Sequence, residues 1–430
     1  MTIITGLQQH LRQSHYLRDV LWQMSGNGLA QVLGVVAMPL LTRLYAPANF
    51  ATLNLFMQVV AGLTIILTWR FEYLVMLPKD DAQAQIILRV ITLAGLIAAV
   101  LATLVAWFAG NKLAMLLGDT ALAPWLLLAP LTAWLICVSI GLQQAVQRRQ
   151  DFRNAGFSEV MSKSGYTASA LAGSPWLPHI GGLMCSAAVG AGAKSLWLWR
   201  TLRAGATVPT SKVTIRPSDA IRPYRLLAGS MSFSNLLAMI TSAAPMIFIA
   251  KVYGSDALGQ FSLVVSTLYL PSGLLGNAIG QVYYQRAAQR HAQGEAFDDL
   301  WRVTAWQLAK IGVPLYTCIA LLSGWAYPFL FGNQWHAAGQ YAMLMAVAAG
   351  LSFITSPLDR TSLVVKAWWY LPLWHTARAV TTVAVVWTAW RWDWSVLQFL
   401  LVLVVQMSIM YLADWLTGRW FAMRRGGRFD

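Results

Sequence analysis

Charged residues are scarce in this sequence. They account for 11% of the 430 residues, whereas hydrophobic residues account for 57%. An ordinary soluble domain carries about 25% charged residues. No single soluble core buries that much apolar surface, so most of it must face lipid or other membrane spans. The composition therefore excludes an ordinary cytosolic enzyme, a secreted disulfide scaffold and a disordered chain.

Cysteine and the motifs of hydrolytic enzymes are also lacking. The three cysteines, Cys137, Cys185 and Cys318, lie in apolar stretches, so we expect neither a disulfide framework nor a metal site. The six histidines show no metal-ligand spacing, and HExxH, GxSxG and phosphate-loop motifs are absent from the sequence. We therefore expect a protein that is not an enzyme and that needs no metal or organic cofactor.

Basic residues outnumber acidic ones, 31 to 16, which gives a net charge of +15. In a soluble protein this excess would suggest a nucleic-acid partner. Here the basic residues lie mainly between apolar runs, where they determine membrane topology. We therefore expect no nucleic-acid partner.

Apolar runs long enough to cross a membrane recur along the whole chain. A spanning helix needs about 20 such residues. The twelve runs are 20–42, 52–76, 84–109, 122–145, 156–175, 177–199, 226–250, 258–283, 303–326, 337–356, 371–390 and 395–416. No small-residue cleavage site follows the polar N-terminus, so we expect the first run to be an uncleaved anchor. The pattern predicts an all-α integral membrane protein with about twelve transmembrane helices.

The distribution of basic residues predicts the orientation. With the N-terminus inside, the outside connections hold only Arg43, Lys112, Lys251 and Arg391. Nearly all other basic residues lie on the inside or at inner span ends, as positive-inside topology requires. The bias predicts an even number of spans with both termini in the cytoplasm.

Two short echoes relate the halves of the chain. Residues 43–47 (RLYAP) resemble residues 251–255 (KVYGS), and residues 115–119 (MLLGD) resemble residues 329–333 (FLFGN). The two members of each pair follow corresponding spans of the two halves, and they are separated by close to half the chain length. We predict a parallel internal repeat. Its parts are a six-helix lobe at 1–200, a basic cytoplasmic linker at 201–225 and a second six-helix lobe at 226–430.

An ordered series of motifs resembles the Wzx-type polysaccharide flippases. Residues 39–47 (PLLTRLYAP) resemble that family's P-x-LTRLY-[ST]-P signature, and residues 70–72 (RFE) resemble its R-[YF]-E. Further stretches follow the family in the same order. They are residues 77–82 (LPKDDA), 149–152 (RQDF), 258–261 (LGQF), 270–279 (LPSGLLGNAI) and 330–335 (LFGNQW). Position 46 departs from the family in carrying Ala.

The resemblance implies membership of the multidrug/oligosaccharidyl-lipid/polysaccharide exporter superfamily. Its implied activity is alternating-access transfer of undecaprenyl-diphosphate-linked oligosaccharide units from the cytoplasmic to the periplasmic leaflet of the bacterial inner membrane. Such transfer serves O-antigen, and hence lipopolysaccharide, or exopolysaccharide export. The implied partners are this lipid-linked oligosaccharide, membrane lipids, a polysaccharide polymerase and a chain-length regulator.

Ionisable groups inside the runs are the candidate substrate ligands, because an unshielded charge in a bilayer is costly. Glu159 and Lys163 lie one turn apart in the fifth run. We expect them to form an ion pair with each other, to face a cavity, or to do both. Arg70 and Glu72 lie two positions apart near the end of the second run. Helical positions two apart do not face each other, so we expect these two to contact different neighbours.

The remaining candidates lie at other depths. Arg43 and Lys251 occupy equivalent outer span ends, as interface anchors or as ligands for a diphosphate. Asn235 lies in the middle of the seventh run, and Lys310 lies inside the ninth. Four carboxylates near membrane depth are candidates for proton or sodium coupling, namely Glu72, Glu159, Asp359 and Asp414. The alternative is that the membrane potential acts directly on charge in the cavity.

Two other functions remain open. A drug–cation antiporter of the same superfamily would share the fold. A polytopic polysaccharide polymerase or ligase is less favoured, because such enzymes need a sizeable outside loop. Here the outside connections are short, and the longest loop, 200–225, is predicted to lie inside.

Overall fold

The computed structural model describes residues 2–78, 80–173, 180–204, 216–367 and 369–423. For residues 2–21, 24, 274, 277 and 278 it describes the backbone alone. Over these ranges the chain is helical, and no β-strand occurs among them. The absence of strands is expected, since every backbone polar group of a membrane span must be satisfied within a helix or a closed barrel.

Fifteen α-helices are present in the described ranges. They are α1 (Thr2–Leu44), α2 (Pro47–Thr68), α3 (Asp81–Leu117), α4 (Ala129–Arg148), α5 (Phe152–Gly173), α6 (Gly181–Ala204), α7 (Pro217–Ile221), α8 (Arg225–Val252), α9 (Gly254–Leu268), α10 (Asn277–Ala292), α11 (Asp298–Phe331), α12 (His336–Thr355), α13 (Thr361–Val364), α14 (Tyr370–Arg391) and α15 (Val396–Met423). Within the described residues, each of the twelve predicted runs overlaps one of these helices or, for 258–283, two.

The predicted multi-pass, all-α fold is confirmed. Eight helical stretches of the described chain are long and apolar enough to cross a membrane. They are Ser25–Leu44, Pro47–Thr68, Asp81–Leu117, Ala129–Arg148, Pro217–Val252, Asp298–Phe331, Asn333–Val364 and Val396–Met423. The other predicted runs are helical but more polar or interrupted. The eighth run divides into α9 and α10 around a π-helical turn at Ser272–Gly276, next to Pro271, because proline cannot donate the hydrogen bond that a continuous helix needs.

The chain divides into two compact units. Unit 1 comprises Met1–Tyr45, Phe56–Leu116 and Thr120–Asn235, and unit 2 comprises Ala46–Leu55, Leu117–Asp119 and Leu236–Asp430. The predicted linker at 201–225 falls partly on residues 205–215, which lie outside the described residues.

Unit 1 is organised around α5. This helix packs against α1 and α6, and α6 also packs against α4. Glycines allow the close approach: a Cβ on Gly26 of α1 would lie 2.4 Å from the backbone of Gly156 in α5, and one on Gly173 would lie 2.4 Å from Gly182 in α6. Small residues at helix contacts are the usual means of tight packing in membranes, where burial of apolar surface drives little association.

Unit 2 is organised around α12, which packs against α9, α11 and α15, while α14 packs against α15. The core of this unit is rich in aromatic rings. Trp301 and Phe297 are almost completely buried, and Trp301 packs against Trp415 with ring centroids 4.9 Å apart.

The two units contain similar hydrogen bonds from the tyrosines of the repeat. Tyr45 donates its hydroxyl to the carbonyl of Ala170 at 2.7 Å in unit 1, and Tyr253 donates to the carbonyl of Trp394 at 2.7 Å in unit 2. These tyrosines are equivalent in the first sequence echo. Each acceptor lies near or just beyond the end of the equivalent span, the fifth or the eleventh.

Backbone geometry adds a repeat feature that the sequence does not display. Gln150 and Lys366, in the connections after the fourth and tenth spans, have φ angles of 60° and 58°. The NH groups of Gln150 and Asp151 bond to carbonyls three and five residues earlier, and the NH groups of Lys366 and Ala367 do the same. The connections after these two spans therefore share the same backbone turn in both halves.

Candidate functional site

The first candidate cluster forms where α2 ends. The helix stops at Thr68, eight residues before the predicted end of the second run, and Trp69 and Arg70 adopt left-handed φ angles of 49° and 61°. A short 3-10 turn, Phe71–Tyr73, follows. Left-handed conformations are uncommon outside glycine, so the surrounding contacts must hold these two residues in place.

This turn joins three of the predicted site residues. The guanidinium of Arg70 donates from Nη2 to Asn235 Oδ1 at 3.0 Å and forms an ion pair from Nη1 to Glu72 Oε1 at 3.5 Å. Asn235 donates from Nδ2 to the carbonyl of Met231 at 2.8 Å, which orients its side-chain carbonyl towards Arg70. Arg70 and Glu72 therefore contact different neighbours, Asn235 and Thr68, as expected, but they also pair with each other, which was not expected. The pairing was missed because the expectation assumed α-helical geometry, and these residues are not on an α-helix.

Glu72 is completely buried in the connection between α2 and α3. It accepts a hydrogen bond from Thr68 Oγ1. Burial raises the pKa of the Glu72 carboxyl above its usual value, while the Thr68 hydrogen bond and the charge of Arg70 oppose that rise. Arg70 Nε is buried without a hydrogen-bond partner among the described residues. The cluster therefore offers a positioned guanidinium with one unused donor.

A second polar cluster lies between α4, α5 and α6. Glu159 accepts from Lys194 Nζ at 2.7 Å and from Gln143 Nε2 at 3.0 Å. An ion pair between Glu159 and Lys163 is therefore not formed. Lys194 is 8% exposed and requires a carboxylate at short range, whereas Lys163 is exposed, with its Nζ 5.8 Å from the ring centroid of Tyr166.

The remaining predicted cations are all exposed. Arg43 lies in the last turn of α1, and Lys251 lies in the last turn of α8. Lys310 lies inside α11, with its Nζ 5.6 Å from the ring centroid of Trp306. Substrate binding by Arg43, Lys251 and Lys310 therefore stays a prediction.

Unit 2 contains a cavity built around a residue that we did not predict. The cavity has a volume of about 290 Å³ and lies among α8, α9, α12, α14 and α15. Apolar side chains form much of its wall. The polar groups that line it are Thr241, Ser242, Tyr269, His375, Arg378, Thr382 and Tyr411.

Arg378 supplies the guanidinium of this cavity. It donates from Nη2 to Tyr411 Oη at 3.3 Å, and its Cζ lies 5.1 Å and 5.3 Å from the ring centroids of Trp374 and Tyr411. No ion pair between Arg378 and a carboxylate is formed within the described part of the chain. The sequence did contain a signal: Arg378 lies two turns inside an apolar run, where a charge is costly, but we grouped it with the basic residues of the inner span ends.

Comparisons with known proteins agree with this architecture. A family model described as "Polysaccharide biosynthesis protein" matches residues 40–340. No curated protein sequence matches the chain.

Several solved structures share the fold. An inward-facing multidrug resistance MATE family transporter of the MOP superfamily has a TM-score of 0.70 at 13% identity, covering 93% of this chain and 94% of that one. Lipid II flippase MurJ, in an inward closed conformation, has a TM-score of 0.67 at 12% identity, covering 94% and 86%. The Vibrio cholerae MATE transporter VcmN in its bent form has a TM-score of 0.55 at 12% identity, covering 98% of each chain. Identities this low establish similarity of fold alone.

Proposed function

Because the chain belongs to the polysaccharide biosynthesis protein family, we propose that it is a flippase for undecaprenyl-diphosphate-linked oligosaccharide units. It would carry these units by alternating access from the cytoplasmic to the periplasmic leaflet of the bacterial inner membrane, for O-antigen or exopolysaccharide export. Both termini would lie in the cytoplasm. The exported units would pass to a polysaccharide polymerase that works with a chain-length regulator.

The family match and the motifs support this proposal together. The matched region, residues 40–340, covers most of the stretch in which the Wzx-type motifs occur in order. The fold is also similar to that of a lipid II flippase. Moving a finished lipid-linked glycan breaks no covalent bond, so the protein has to supply a polar path and ligands for the anionic headgroup.

The observation that carries the proposal is the Arg378 cavity of unit 2. A guanidinium two turns inside the predicted eleventh span is unfavourable in a membrane unless an anion or a set of dipoles compensates it. Here one tyrosine hydroxyl and two aromatic rings contact it, without a carboxylate partner among the described residues. A phosphate oxygen pair fits the fork of a guanidinium. A cationic drug would be repelled by the same charge, which favours lipid-linked diphosphate over a drug–cation exchange.

Deletion of the gene in its native host tests the proposal directly. We expect complete, unpolymerised lipid-linked units to accumulate in the cytoplasmic leaflet and surface glycan to disappear. Accumulation in the outer leaflet would indicate a polymerase or ligase instead. Unchanged glycan together with new sensitivity to cationic drugs would indicate the antiporter.

Complementation of that deletion tests the role of Arg378. We expect Arg378→Gln to insert normally and to restore surface glycan at least about tenfold less well than wild type, since a charge-assisted hydrogen bond contributes about 1.5–3 kcal/mol. Arg391→Gln is the matched control, because Arg391 is exposed at the other end of the same helix. Full restoration by Arg378→Gln would remove this residue from the transport path.

A further inference from the structure

A groove opens between α1, α5 and α6 in unit 1. It has a volume of about 540 Å³, which lies within the range that is typical of ligand pockets. Its walls include Trp22 and Leu29 of α1, Arg153 and Phe157 of α5, and Trp197 of α6. Trp22, Arg153 and Trp197 lie at the ends of their spans that are predicted to face the cytoplasm. The groove is therefore expected at the level of the lipid headgroups.

Two hydrogen-bond donors of the groove have no acceptor among the described residues. Trp197 Nε1 is buried without a hydrogen-bond partner there, and the indole is held by Phe157, with ring centroids 4.7 Å apart. Arg153 forms neither a hydrogen bond nor an ion pair within the described ranges, and its Cζ lies 5.2 Å from the ring centroid of Trp22. A buried donor without an acceptor is costly. The oxygen atoms of a phosphate headgroup would supply acceptors for both groups.

Positive charge surrounds the mouth of this groove. Four exposed arginines lie at the predicted cytoplasmic ends of α4, α5 and α6, namely Arg149, Arg153, Arg200 and Arg203. Across the described part of the chain, none of the four forms an ion pair with a carboxylate. Asp151, the carboxylate nearest to Arg149 and Arg153 in the sequence, instead accepts from the backbone and side-chain N–H groups of Asn154. The patch is therefore complementary to an anion.

We propose that this groove binds one anionic glycerophospholipid of the inner leaflet, with the chemistry of phosphatidylglycerol. The phosphate accepts hydrogen bonds from Arg153 and from Trp197 Nε1, and an acyl chain lies along the exposed side chains of Leu29 and Phe157. Basic pockets between membrane helices on the cytoplasmic side are suited to anionic headgroups, and tryptophan favours this level of a bilayer. A zwitterionic headgroup carries its own cation, which the four arginines would repel.

Binding is measured on the purified full-length protein after exchange into a neutral detergent. The probe is dioleoyl phosphatidylglycerol, and dioleoyl phosphatidylcholine is the comparison lipid. The readouts are the apparent Tm and the phospholipid retained per chain, determined by mass spectrometry. For wild type we expect one retained phosphatidylglycerol and a Tm rise of about 1–2 °C at ten times the Kd, with little effect of phosphatidylcholine. High salt should weaken the binding, because the arginines are exposed to solvent.

Three variants locate the bound lipid. Arg153→Gln should bind phosphatidylglycerol at least about tenfold less tightly, because it removes a charged donor. Trp197→Phe keeps an aromatic ring against Phe157 and removes only the N–H group, so it should weaken binding by about two- to tenfold. If Trp197 only packed against its neighbours, the affinity would not change in this variant. Arg225→Gln is the matched control, since Arg225 is exposed at the start of α8, and it should bind as wild type does.

Equal Tm shifts of wild type with phosphatidylglycerol and phosphatidylcholine would overturn the proposal, and this comparison needs no variant to fold. Unchanged phosphatidylglycerol affinity in both Arg153→Gln and Trp197→Phe would overturn it as well. The lipids that stay bound during purification from native membranes provide a further test. If Arg153→Gln loses an undecaprenyl-linked lipid and keeps its phospholipid, the groove belongs to the transported lipid and the proposal is rejected. None of these readouts depends on transport, so the result is separate from the surface-glycan phenotype.

Discussion

Arg70 provides a test of the backbone geometry at the end of α2. Replacing it with alanine or glycine removes the same contacts, namely the 3.0 Å hydrogen bond to Asn235 and the 3.5 Å ion pair with Glu72. Each variant leaves a fully buried carboxyl without its cation. Loss of a charged hydrogen bond costs about 1.5–3 kcal/mol, so we expect both variants to be destabilised by about 2–3 kcal/mol.

The two variants should nevertheless differ in stability. The φ angle of 61° at position 70 determines which of them is the more stable. An L-residue such as alanine in the left-handed region costs about 1–2 kcal/mol, whereas glycine adopts that conformation freely. Arg70→Gly should therefore be more stable than Arg70→Ala by about 1 kcal/mol. If residues 52–76 formed one continuous helix, the order would be reversed by about 1 kcal/mol, because glycine is the poorer helix former.

Thermal unfolding of the detergent-solubilised variants distinguishes the two cases. We expect the Tm of Arg70→Gly to exceed that of Arg70→Ala by about 1 °C. Both should lie below wild type, and both should lose surface-glycan complementation. A higher Tm for Arg70→Ala would refute the left-handed geometry, and with it the reason that Arg70 reaches Glu72.

Two further outcomes follow from the structure, and a third follows from the distribution of basic residues in the sequence. Lys194→Met should lower the free energy of unfolding by about 2 kcal/mol, because it leaves Glu159 without its ion-pair partner at 2.7 Å. Lys163→Met should change the Tm by less than about 1 °C. Equal effects of the two substitutions would contradict the pairing of Glu159 with Lys194. Gly156→Ala should reduce the yield of folded protein, since its Cβ would lie 2.8 Å from a backbone oxygen of α1, whereas Gly28→Ala meets nothing within 4 Å and should be tolerated. Reporter fusions at the N- and C-termini should both be active in the cytoplasm, and a periplasmic signal from either would contradict the predicted orientation.

The class of fold follows from composition and hydropathy alone. Lipid excludes unpaired backbone groups and isolated charges, so a spanning segment has to be a long apolar helix. For that reason the twelve runs stand out in the amino-acid sequence, and each overlaps helix in the described chain. The repeat is recognisable in the sequence as well, because its two echoes lie at span ends, where backbone turns require particular residues such as Gly118 and Gly332, both at positive φ.

The packing of the helices determines which polar groups meet. The contact of Arg70 with Glu72 depends on a left-handed turn, which no helical periodicity contains. Glu159 pairs with Lys194 and not with Lys163, its neighbour in the sequence. The packing of α5 on α6 places Lys194 Nζ 2.7 Å from Glu159 Oε1. Asp359 and Asp414 are 55 residues apart and share one cavity only because α12 and α15 pack together. Periodicity identifies the face on which a residue lies, whereas the partner across that face depends on the packing of another helix.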